Sequence, residues 1–224
     1  MTRTKLADRV LPTYTKGEEI LNTFSHILGA ILGLVALVLC TVQASRHNNM
    51  FGVVSAIIYG LSMILLYTMS SVYHALSPKM TGKKVLQILD HCSIFLLIAG
   101  SYTPFALCPL REYNTSTGWT IFGITWLMAI IGIVFNAIDL KKYKKFSMFC
   151  YLLMGWCIIF KAYLLPQLLT MSGFWLLLSG GIIYTVGAVF YGVGKKKKYM
   201  HTVFHFFILG GSLLQFFCIL LYVM

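Results

Sequence analysis

In the stretch KKKKYMHTVFHFFILGG, a lysine run gives way to apolar residues that carry His201 and His205. Residues four apart share one helical face. An HxxxH pair can therefore present two ring nitrogens to one metal ion. It can equally line a polar packing seam, and spacing alone leaves both readings standing. A third histidine, His74, closes the stretch YTMSSVYHALSP, with Ser70 one turn away on the same face and Ser71 close to it. Asp90 stands in KKVLQILDHCSIF. A carboxylate facing lipid is strongly disfavoured, so Asp90 is expected to face the interior of a helix bundle. His91 is turned about 100° from it around a helix axis, which predicts a different direction and a packing or interface role. Three histidines plus one open position form the ligand set of a catalytic zinc site, and zinc suits imidazole. The alternative is a polar hydrogen-bond network without metal.

The elements that position these residues follow from composition. The 224 residues are 58% hydrophobic and 11% charged, with a mean hydropathy of +0.81. That is the profile of an all-α polytopic membrane protein. Aromatics at 15% supply interfacial belts. A formal charge of +12 raises the question of nucleic acid. The basic residues cluster beside apolar runs rather than interleave with polar ones, so no nucleic-acid partner is expected. The six cysteines show no paired spacing and mostly lie in apolar runs, which excludes a disulfide framework. The polar N-terminal stretch carries no signal-peptide cleavage pattern.

A bilayer core of about 30 Å takes about 20 apolar residues per helix. Seven such runs are predicted: 22–42, 51–76, 86–108, 118–138, 146–165, 172–193 and 200–223, after an N-terminal arm over 1–21. Fifteen of the eighteen lysines and arginines fall on one side of this arrangement, in the arm and in the second, fourth and sixth loops. The positive-inside rule makes that side cytoplasmic, with the N-terminus inside and the C-terminus outside. His74, Asp90, His201 and His205 then meet at one depth, near the cytoplasmic face.

The motifs SSVYH, LDHCSIFLLIAGSYTP and HTVFH, together with EEILNTFSHILG in the first span, resemble the haemolysin III proteins. These are the bacterial branch of the progestin and adipoQ receptor family, in the wider superfamily of the alkaline ceramidases. The likeness spans essentially the whole chain. It implies a seven-helix membrane protein with an internal N-terminus, in a bacterial inner (plasma) membrane. By that likeness His74, His201 and His205 are zinc ligands, Asp90 holds a water and Ser70 supports it from behind. Adiponectin-receptor relatives are associated with ceramide amide hydrolysis.

The expected activity is zinc-dependent hydrolysis of a lipid amide or ester at the inner leaflet, with Asp90 as general base and membrane lipids as partners. Two other readings stand beside it: a structural zinc in a sensor or regulator of the membrane, and a haemolysin-like pore. Glu19, Asn22 and His26 are expected to pack helices or support the site from behind. Pro104 predicts a kink, and the Gly180–Gly181 and Gly210–Gly211 pairs predict close helix approach. The NTS at Asn114 matches a glycosylation acceptor, which the bacterial resemblance makes coincidental.

Overall fold

The computed structural model describes residues 3–193 and 197–224. The secondary structure assigned there is helical. The long helices are α1 (Lys16–Arg46), α2 (Met50–Ala75), α3 (Thr81–Phe105), α5 (Thr115–Gly155), α6 (Leu165–Val193) and α7 (Met200–Tyr222). A single turn, α4 (Arg111–Tyr113), precedes α5. Six helices among the described residues are long and apolar enough to cross a membrane. The seven predicted runs become six because the fourth and fifth fall largely in one continuous element, α5.

That element is not straight. A helix of its 41 residues would measure about 60 Å, twice the thickness of a bilayer core. At Asp139 the backbone turns extended, with φ −159° and ψ 94°. The Asp139 side chain then accepts from the amides of Lys141 and Lys142, both at 3.1 Å, as a helix cap does. Beyond the bend the chain returns along itself. Asn136 donates to the Tyr151 hydroxyl at 3.2 Å and accepts from Ser147. Residues fifteen apart in a straight helix would stand about 22 Å from each other.

Local signals fix the other ends. Thr15 and Glu18 form a capping box at the start of α1. Asn49 caps α2 through the Gly52 amide, and Asn114 caps α5 through the Thr117 amide, each at 2.8 Å. Pro104 lies within α3, which passes into a π-helical turn, Ala106–Leu110. That turn itself contains Pro109, and its wider i→i+5 pairing accommodates the hydrogen bond that this proline cannot make. Within α6, Thr170 breaks helical geometry at φ 61° and its hydroxyl accepts from the Gly173 amide. The regular part of α6 therefore starts close to the predicted residue 172.

Packing runs α6–α7–α1–α2–α3–α5 around the bundle. The pattern is polar inside and apolar outside. Asn22, Ser25, Ser55, Ser70, His74 and Gln215 are buried, while Ile31, Leu34, Val38, Leu127 and Ile130 are exposed. A large apolar exterior suits lipid rather than water. Close approach is built on small residues. A Cβ on Gly60 would stand 2.6 Å from the Leu37 Cα, which brings α1 and α2 almost to backbone contact. Of the predicted glycine pairs, Gly180 and Gly211 meet close neighbours, Gln215 and Tyr184, whereas Gly181 and Gly210 have ordinary clearance. All six cysteines are free.

The arm ahead of α1 packs on the same end of the bundle as the Asp139 bend. The Thr4 amide donates to Asp139 Oδ2 at 2.8 Å, and Lys84 donates to the Ala7 carbonyl at 2.6 Å. Arg9 is buried, and burial holds its guanidinium below the ordinary arginine value.

Candidate metal centre

His74 sits in the last turn of α2, and His201 and His205 occupy the first two turns of α7. One ring nitrogen from each lies within 4.8 Å of the other two, and the three can hold a metal ion. Tetrahedral zinc with Zn–N bonds of 2.0–2.1 Å would set its nitrogens about 3.3 Å apart.

The start of α7 is placed by α1. Glu18, the capping-box carboxylate, accepts from the Tyr199 amide at 2.7 Å. Tyr199 adopts a left-handed conformation, φ 63°, so the helix begins one residue later. Asn22, fully buried, accepts from the Thr202 hydroxyl at 2.7 Å. These two contacts from α1 bring the HxxxH face toward α2.

The hydrogen bonds of the rings show which nitrogens remain available. Nδ1 of His74 stands 2.6 Å from Glu19 Oε2. A carboxylate only accepts, so Nδ1 carries the proton and Nε2 is left with its lone pair. That Nε2 is buried without a protein partner. Nε2 of His201 and Nε2 of His205 lie 3.0 Å apart. An unpartnered buried lone pair costs about 1–3 kcal/mol, and a cation at the meeting point would satisfy all three nitrogens. The donor set is thus chemically fitted to a divalent ion of the zinc type.

A cavity of about 340 Å³ opens beside this cluster. His201, His205, Asp90, Ser70, His26 and His91 stand on its wall, and the remainder is mostly apolar. His74 does not line it. Tyr14, from the arm, stacks on His201 with ring centroids 4.9 Å apart and planes at 19°. Burial raises the Tyr14 phenol well above its ordinary value, so it stays neutral.

A family model described as haemolysin-III related matches residues 14–216. The chain belongs to that family. It is 45% identical over 208 residues to Hemolysin-3 of Bacillus cereus, with 92% of each chain covered. It is 42% identical over 209 residues to the Hemolysin-3 homolog of Bacillus subtilis, covering 93% of this chain and 96% of that one. A human protein, Monocyte to macrophage differentiation factor, is 28% identical over 210 residues, covering 90% of this chain and 83% of its own. With six apolar helices of crossing length among the described residues, this haemolysin-III related chain is a multi-pass membrane protein.

The structure places the predicted residues around one end of the bundle. His74, His201 and His205 come together, and Asp90 and Ser70 reach the adjoining cavity. His91 is a correction. It was expected to point away from Asp90, yet its Nδ1 lies 3.6 Å from Asp90 Oδ2 and both line the same cavity. Its ring folds back to the Gln87 carbonyl, one turn earlier, at 2.9 Å, and that rotamer cancels the rotation between neighbouring Cα atoms. His26 stacks on His205, ring centroids 3.7 Å apart, with neither of its nitrogens partnered by protein.

Two residues escaped the sequence reading. In sequence Lys83 stands among the loop charges that set topology, but it is 1% exposed and pairs with Glu19. Its cue was Glu19 itself, an acid in an otherwise apolar helix that needs a cation. Tyr14 carried no sequence signal, because its role depends on how the arm folds back. Of the lysine run before α7, Lys195 and Lys196 lie outside the described residues.

Proposed function

We propose that this protein is a zinc-dependent hydrolase of a lipid amide or ester, embedded in a bacterial plasma membrane. The observation that carries the reading is the pairing of a three-histidine cluster with an apolar cavity that also holds a carboxylate and a hydroxyl. His74, His201 and His205 would hold the ion, each through Nε2. Bound zinc supplies a Lewis acid for a carbonyl and makes water nucleophilic near neutral pH. The apolar wall receives the acyl chain and keeps bulk water from the reacting carbonyl. Asp90 takes one proton from the attacking water as the new C–O bond forms, and returns it to the amine or alcohol as the old bond breaks. Ser70 donates to the carbonyl oxygen as charge develops there.

The reading includes seven crossings, with the bend at Asp139 as the turn between the fourth and the fifth. Each arm of α5 then approaches the length a bilayer needs. The lysine- and arginine-rich ends, with the metal centre among them, face the cytoplasm, and the C-terminus faces outward.

The deciding experiment supplies purified, zinc-loaded protein with N-acyl amines and acyl esters and follows fatty-acid release. Release that disappears in Asp90→Ala while zinc stays bound supports the hydrolase. Zinc-loaded protein that cleaves none of them refutes it. One observation favours a second reading, a structural zinc in a membrane-state sensor: His74 is shut away from the cavity and Tyr14 covers His201. There Asp90→Ala would lose zinc and stability together.

A further inference from the structure

Glu19 sits in the first turn of α1, whose inner face is otherwise made of small and polar residues. Its two oxygens face different partners. Oε2 accepts a hydrogen bond from Nδ1–H of His74, and Oε1 accepts one from the Lys83 ammonium. Lys83 directs its other bonds to the Leu76 carbonyl at 2.8 Å and the His74 carbonyl at 3.5 Å. An ammonium has three donors, and all three are spent here. The carbonyls of His74 and Leu76 belong to the final turn of α2 and to its C-cap, where helix geometry leaves them unpaired. One buried cation therefore ties the end of α2, the start of α3 and the carboxylate of α1 at the residue that offers Nε2.

We propose that Glu19 and Lys83 form a positioning pair that sets the tautomer and orientation of His74, and through it the affinity of the metal centre. The inference rests on the metal-centre reading above. Glu19 fixes the Nδ1–H tautomer, which leaves Nε2 as the only lone pair of the ring. Lys83 pairs with Glu19 and holds it aimed at His74, because an unpaired carboxylate at this depth would be strongly disfavoured. A carboxylate behind a metal-bound histidine is worth about 10–100-fold in metal affinity.

The test uses the full chain in lipid nanodiscs and measures zinc affinity by competition with a chromophoric chelator. The absorption spectrum of the cobalt-substituted protein is the second readout, and thermal unfolding of the metal-free protein is the third. Glu19→Gln is expected to weaken zinc binding by about 10–100-fold and to shift the cobalt spectrum. Lys83→Met weakens it in the same direction. The double variant Glu19→Gln/Lys83→Met leaves no unpaired buried charge, so it recovers metal-free stability without recovering zinc affinity. If Glu19→Gln alone fails to fold, the double variant carries the same test. Wild-type affinity and an unshifted spectrum in either overturn the proposal. A double variant that regains both stability and affinity overturns it too, because the pair would then only hold the helices together. Wild-type protein that binds no zinc overturns the metal-centre reading, a result distinct from zinc-binding protein indifferent to Glu19.

Discussion

Nε2 of His201 and Nε2 of His205 face each other across 3.0 Å, one helical turn apart on α7. Two neutral imidazoles in that relation present either lone pair to lone pair or one proton between them. Nε2 of His74 is buried and unpartnered beside them, so a single shared proton leaves a nitrogen unsatisfied. A metal ion satisfies all three.

Removing one of these ligands is expected to empty the site. His205→Ala should lower bound zinc from about one per chain to under about a tenth. Elemental analysis after gel filtration measures this. Zinc added to the wild type should raise its unfolding temperature, and should leave that of His205→Ala unchanged.

Asp90→Asn keeps the size of the side chain and removes its basicity. Zinc content is expected to hold, while lipid hydrolysis falls by about 10²–10⁴-fold. Fatty-acid release measured beside zinc stoichiometry on one preparation separates the two effects.

Asp139→Ala removes an acceptor for the Thr4 amide and for the two lysine amides after the bend. Loss of a helix cap costs about 1 kcal/mol. The larger expected consequence is local: residues 3–15 come loose, Tyr14 leaves His201, and a chelator strips the metal faster. Stopped-flow chelation and limited proteolysis of the arm read this directly.

Gly60→Ala would force a Cβ to within 2.6 Å of the Leu37 Cα, a backbone atom that cannot swing aside. A loss of about 1–3 kcal/mol is expected. Gly123 has nothing within 4 Å, so Gly123→Ala should be neutral or slightly stabilising. Unfolding in mixed micelles compares the two.

What could be read in the chain beforehand was whatever a long period or a strong penalty writes into it. Helix type, the apolar runs and the inward direction of Asp90 and the histidines all follow from the expense of polar groups in lipid. Helix ends were less legible. The apolar run suggested a start at residue 22, whereas α1 begins at Lys16, because the capping box of Thr15 and Glu18 adds a polar first turn. Side-chain rotamers were not legible at all, which is why His91 was misdirected. Lys83 hid among loop lysines, since a charge that finds a buried partner looks in sequence like one that finds water.

The division of ligands along the chain bears on assembly. One imidazole comes from residue 74, and the other two from residues 201 and 205. A nascent chain that has inserted α1 to α6 but not yet α7 holds one donor out of three, already tied to Glu19. A metal ion held by all three would therefore wait for α7 to dock against α1, and would work as a latch on that contact. Chains cut short before that point should pass through the membrane-insertion machinery and still emerge unmetallated, open to proteolysis in a way the completed bundle is not.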